Sequence, residues 1–244
     1  MVAPLVRKMG YEYPLGEQPD RVQLCTTVIT TVASSGLTKT VRKLQEWFEI
    51  YLNTGSASHI PPDLIDPTFK VVTEYGGRRE WEEMKKVFNN PSDPSTQTSA
   101  LYAMCNTRDT VLIEENFDFI LNSVPNHMII YFFFGVATND KIGKKVLSFL
   151  KKNYNQIFKK LDGTFLLSPL LHAISGALKT FQDAQELEDF FKDKDTSKIN
   201  QSLFQVLDLV HARASWSERS NDDVKNWLKE WRKNNVVEKG VESK

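Results

Sequence analysis

Residues 139–191 repeat apolar side chains every three or four positions and break that pattern only at two very short turns. Gly163 ends the first run, and Phe181-Gln182-Asp183 separates the next two. A period near 3.6 specifies amphipathic helices over 140–161, 165–180 and 183–192. Connections this short leave consecutive helices little choice but to fold back on one another. No such pair can bury its apolar face alone, so neighbouring pairs must stack.

The same reading extends along the chain. Residues 20–35 place Val22, Cys25, Val28, Ile29 and Val32 near one stripe. The threonines between them suit a strand by propensity, but Asp20 as a cap and Gly36 as a stop favour a helix. Thr38 is read as the cap of a second helix carrying Val41, Leu44, Trp47, Phe48 and Tyr51. After Pro61-Pro62, the pattern predicts helices over 63–75, starting near Asp66 because of Pro67, and over 78–89, with Gly76-Gly77 between them. Further helices are expected over 96–105, 108–122 with Thr107 as cap, and 128–136. The last two are placed at 200–216 and 222–231, the second capped by Ser220. A pair recurs every roughly 35 to 40 residues, the spacing of HEAT-like and armadillo-like repeats. The expected fold is therefore all-α: a curved array of antiparallel helix pairs forming one domain over residues 1–235, with a charged, frayed tail at 236–244.

Composition removes several function classes. Lys plus Arg and Asp plus Glu both count 31, so no basic excess points to nucleic acid. The lysines at 141, 144, 145, 151, 152, 159 and 160 read as the wet side of an amphipathic helix in preference to a nucleic-acid patch, because Ile142, Val146, Leu147, Leu150, Tyr154 and Phe158 share that helix. The most apolar run, around residues 128–136, is far short of the roughly 20 residues that span a bilayer. Cys25 and Cys105 both fall on apolar stripes and read as buried thiols in a reducing, cytoplasmic setting. His59, His127, His172 and His211 are isolated, none with a second histidine one turn away. No catalytic, cofactor or metal-ligand set emerges. Among the five tryptophans core packing is the default. Trp227 and Trp231, one turn apart near the end, are the candidates for docking onto another surface.

Several segments in order carry a resemblance. Gly10-Tyr11, Ile60-Pro61-Pro62-Asp63, the Ala100-Leu101 segment running to Thr107, Lys152-Asn153-Tyr154 and Phe190-Phe191 together resemble the C-terminal helical domain of gluzincin-type zinc aminopeptidases. That group contains puromycin-sensitive aminopeptidase and the endoplasmic-reticulum aminopeptidases. The resemblance covers roughly residues 9–231. It implies a non-catalytic domain that caps a catalytic domain and shapes the concavity holding the distal part of a peptide. The enzymes' HExxH and GxMEN motifs are both missing here, so the zinc belongs to the catalytic domain and no cofactor is expected on this chain. Tyr11 replaces the usual Trp of relatives, and the first helices of the family's domain are expected to be missing. Partners implied are a peptide, a catalytic domain and, through an apolar patch near the first helices, a second copy. The alternative reading is a free-standing helical scaffold that binds a protein partner.

Overall fold

The structure, a computed structural model, describes residues 2–13, 16–139, 141–143 and 145–234. Helices dominate it, and no strand occurs among the described residues. In chain order they are α1 (Ala3–Met9), α2 (Pro19–Ser34), α3 (Thr38–Thr54), α4 (Ile65–Tyr75), α5 (Arg78–Asn89), α6 (Pro94–Met104), α7 (Thr110–Asn122), α8 (Ile129–Ala137), α9 (Lys145–Leu161), α10 (Leu167–Ser175), α11 (Phe181–Phe191) and α12 (Asn200–Asn234). Short 3-10 turns at Pro62–Leu64 and Asn126–Met128 lead into α4 and α8.

Local chemistry sets many of the ends. Pro94 opens α6, and the Asp93 carboxylate accepts from the Thr96 amide at 2.9 Å. Gly55 closes α3 in the left-handed region at φ 68°, where its amide donates to Tyr51 O at 2.8 Å. α11 opens with a capping box. Thr180 Oγ1 accepts from the Asp183 amide, and Asp183 Oδ2 accepts from Thr180 N at 2.9 Å.

Several boundaries expected from the sequence are corrected. The helices expected at 200–216 and 222–231 are one continuous α12, and Ser220 lies inside it and caps nothing. The polar stretch Ser217–Asn221 contains neither Gly nor Pro, and its residues lower helix propensity by only tenths of a kcal/mol each. α11 begins at Phe181, inside the expected separator, and α10 is shorter than 165–180. Gln18 takes the cap position of α2, and Asp20 lies in the first turn. Thr38 is not a side-chain cap; Leu37 occupies that position. Asp109, not Thr107, caps α7, accepting from Val111 N at 2.8 Å. Helix α1 is an addition to the expected set. Asp140, Lys144 and the tail at 236–244 lie outside the described residues.

Every second helix from α4 onward packs on the next, so α4, α6, α8, α10 and α12 follow one another as neighbours. The intervening helices flank them: α3 lies on α4, α5 on α6, and α11 on α12. Two buried clusters result. One gathers Ile29, Val32, Leu44, Trp47, Leu64 and Val71 from the first helices. The other runs from Phe48 and Phe69 through Trp81, Met104, Leu112 and Phe133 to Val210. Tyr51 and Ile65 pack against both.

Buried polar groups tie the layers together. Asn116 accepts from Trp81 Nε1 at 2.9 Å and donates to Met104 O at 2.8 Å. Thr73 Oγ1 donates to Ala103 O at 2.6 Å, joining α4 to α6. Leaving such partners unsatisfied costs about 1–3 kcal/mol each. Gly135 permits the closest approach. A Cβ there would meet Cys105 Cβ at 2.8 Å, so α8 can lie against the end of α6 only because the side chain is absent.

Candidate functional site

The neighbouring helices α2, α4, α6 and α8 together line a groove. On α4, Asp66, Lys70 and Glu74 follow one another at one-turn spacing and so share a face. Helix α2 adds Thr30 and Ser34. Helix α6 adds Ser99, Tyr102 and Ala103, with Asn106 just beyond its end. Helix α8 adds Phe134 and Gly135, with Thr138 next. Two compartments share Lys70, Asn106 and Thr138 and therefore run into each other. The more apolar one, between Pro67, Tyr102 and Phe134, has a volume of about 520 Å³. The polar one, between Glu74, Arg108, Asn139 and Lys141, has about 390 Å³.

Hydrogen bonds and stacking hold the walls. Arg108 Nη2 bonds Glu74 Oε1 at 2.6 Å, and the guanidinium lies 4.5 Å from the Tyr75 ring centroid. Asn139 is buried. Its Nδ2 donates to Cys105 O and Thr107 O, both at 2.8 Å, and its Oδ1 accepts from the Lys141 amide at 2.9 Å. This side chain fixes the loop that carries Arg108 against the segment that carries Lys141. At the other end Ser99 donates to Asp66. Tyr102 and Tyr131 meet edge to face at 6.2 Å. Burial raises the Tyr102 phenol above its usual range.

Among the described residues neither Lys70 nor Lys141 has an ion-pair partner, so the polar compartment carries a surplus of positive charge. Such a groove can bind an extended chain through carbonyl, carboxylate and apolar contacts. No histidine lines it.

The residues singled out from the sequence lie elsewhere. His59 Nε2 bonds Trp47 O at 2.8 Å; His127 and His211 are exposed; His172 is half-buried in α10. No three His, Cys, Asp or Glu side chains come together to hold a metal ion among the described residues, so the zinc implied for whole aminopeptidases does not fit any of them. Cys25 and Cys105 are both buried and unbridged, and burial pushes the Cys105 thiol well up. On α9, Lys145, Lys151, Lys152 and Lys159 are exposed opposite buried Val146, Leu147 and Leu150. No described helix is long and apolar enough to cross a membrane. Trp47 and Trp81 are core residues, but Trp216 is 59% exposed and Trp227 49%. Trp227 and Trp231 stack with centroids 6.5 Å apart, outside the groove. None of Lys70, Glu74, Tyr102, Asn106, Arg108 or Asn139 stands out in the sequence as a site residue. The one-turn spacing of Asp66, Lys70 and Glu74 is a signal, but any solvated helix face shows the same spacing.

Comparison with known proteins decides the family. The model of the ERAP1-like C-terminal domain matches residues 1–212. The chain belongs to the ERAP1-like C-terminal domain family. Curated relatives of this ERAP1-like domain include "Aminopeptidase 2, mitochondrial" of Saccharomyces cerevisiae, 22% identical over 94% of this chain and 24% of the relative. "Alanine/arginine aminopeptidase" of the same yeast is 24% identical over 85% of the chain and 24% of its own length. "Puromycin-sensitive aminopeptidase" of Caenorhabditis elegans is 22% identical over 91% of the chain and 24% of its own length. The chain thus spans about a quarter of the length of the relatives it matches. The resemblance carried by the ordered segments is to the same family. The groove lies wholly inside the region matched by the family model, which ends at residue 212, while the alignment with the first yeast relative continues along α12.

Proposed function

We propose that this chain acts as the non-catalytic C-terminal domain of an aminopeptidase. It packs on a zinc-bearing catalytic domain, and its groove lines the space that holds the distal part of a peptide. The stacked helix pairs form one curved domain, with the α2–α4–α6–α8 groove facing the substrate. The observation that carries this reading is the family match over residues 1–212. The groove's chemistry supports it. The cations Lys70 and Lys141, lining the same groove as Asn106, and an apolar wall of Tyr102 and Phe134 suit a peptide's carbonyls, carboxylates and side chains. A cytosolic setting accords with two buried free thiols.

The pure chain is expected to leave an aminoacyl-coumarin substrate intact while binding a ten-residue peptide weakly by calorimetry. Lys70→Glu is expected to weaken that binding about tenfold, as loss of one charge-assisted contact does. Turnover of the coumarin substrate that a chelator abolishes would overturn the reading.

A further inference from the structure

The two compartments of the groove differ in chemistry and are offset by a definite step. Lys70, Asn106 and Thr138 stand at their junction. In each of α4, α6 and α8 the apolar wall lies about one turn before the junction residue: Pro67, Tyr102 and Phe134 in turn. Beyond the junction come Glu74 on α4 and Lys141 after α8. The groove therefore changes from apolar to polar along the helices, and the two middles are roughly 5–7 Å apart at 1.5 Å per residue.

Charge follows the same step. Glu74 is neutralised by Arg108 at 2.6 Å, which leaves Lys70 and Lys141 as the cations without an ion-pair partner among the described residues. Asp66 borders the far end of the apolar compartment and repels a carboxylate placed there. The junction itself offers acceptors. Asn106 Nδ2 is committed to Tyr102 O at 2.7 Å, while Oδ1 has no partner among the described residues and is open to the groove. Thr138 Oγ1 donates to Gly135 O at 2.8 Å and keeps lone pairs that can accept.

We infer, building on the peptide-holding role proposed above, that this groove selects peptides in which an acidic side chain stands two positions from a large apolar one. An extended chain advances about 3.3 Å per residue and turns alternate side chains to the same face, so positions two apart are about 6.6 Å apart on one side. That repeat matches the offset of the compartments. The apolar side chain enters between Tyr102 and Phe134, and the carboxylate meets Lys70 and Lys141. The main-chain N–H between them is left to Asn106 Oδ1 or Thr138 Oγ1. An acid one position away points to the opposite face. The polar compartment, at about 390 Å³, is far larger than a carboxylate needs, so the chain can continue past it.

Calorimetry of the full chain at low ionic strength tests this with ten-residue peptides, acetylated and amidated at their ends. Two of them contain one phenylalanine and two glutamates among glycines and serines. In the first, the glutamates lie two positions to either side of the phenylalanine; in the second, they adjoin it. Composition and net charge are the same, so unspecific attraction cancels, and placement on both sides makes the result independent of chain direction. The first peptide should bind at least about fivefold more tightly. Lys141→Gln, at an exposed position, should bring the two to within about twofold, with circular dichroism unchanged. Equal affinities overturn the inference and leave the proposed function standing, as does a preference that survives Lys141→Gln. A third peptide lacks glutamate and ends in a free carboxylate just beyond its phenylalanine. Tighter binding of this one than of the first assigns the lysines to a chain end and overturns the inference. Failure of all three to bind up to millimolar concentration overturns the peptide-holding role itself, and the inference with it.

Discussion

Residues 203–214 and 215–234 belong to one uninterrupted helix, yet they have opposite fates. In the first stretch Leu203, Val206, Val210 and Ala214 are buried against neighbouring elements, and α12 there packs on α10 and α11. Arg213 also donates to the carbonyl of Ser175, at the end of α10. In the second stretch Val224, Leu228 and Trp231 continue nearly the same angular stripe, but no residue is fully buried. The apolar period is the same in both. What differs is whether a second helix lies alongside. An amphipathic pattern states that a face seeks cover and is silent on what provides it.

The largest expected effect separates the two stretches directly. Val206 is fully buried, and Val206→Asp puts an unpaired carboxylate into the core, which should cost roughly 3–5 kcal/mol in urea unfolding. Val224→Asp, the same change at an exposed site, should stay within about 0.5 kcal/mol when measured at low micromolar protein. A large loss from Val224→Asp in the dilute monomer would mean that the second stretch is covered within one chain, and the comparison would collapse.

A gentler pair sharpens it. Val210→Ala should cost about 2 kcal/mol through lost burial and the cavity left behind, while Trp227→Ala should cost less than about 0.5 kcal/mol at the same dilution despite removing far more side chain. Smallest of all, ending the chain after Ser217 should leave the unfolding free energy of the rest unchanged within about 0.5 kcal/mol. The lost helical ellipticity should match the removed turns. Amide exchange gives the residue-level view. Amides of 206–214 should exchange at the rate of global unfolding, and those of 220–232 orders of magnitude faster.

How much of the molecule is legible in its sequence depends on the range of the forces involved. Helices with strong one-sided stripes, such as α3, α5 and α9, are readable because each stripe is a local pattern. Boundaries are less so. Thr107 and Asp109 are both sound caps, and only the backbone path into α7 puts the Asp109 carboxylate, and not the Thr107 hydroxyl, beside two free amides. The polar stretch at 217–221 resembles a break because it also suits a loop, yet a helix already under way tolerates it at low cost. The general tendency of tryptophan places Trp216 in the core, whereas no partner element lies over it in one copy. The groove is not legible at all. Lys70, Asn106, Thr138 and Lys141 come from separate segments, and none is unusual in its own segment.

The amino-acid sequence by itself determined the helical class, the order and approximate extent of most helices, the absence of an HExxH set and the family resemblance. All of these rest on spacing within a few turns or on residue identity in order. Only the tertiary structure decided which faces meet, how Asn139 and Gly135 bring distant segments together, and where α12 leaves the body. Those outcomes depend on the packing of side chains far apart in the chain, and a one-dimensional period carries no information about which neighbour arrives.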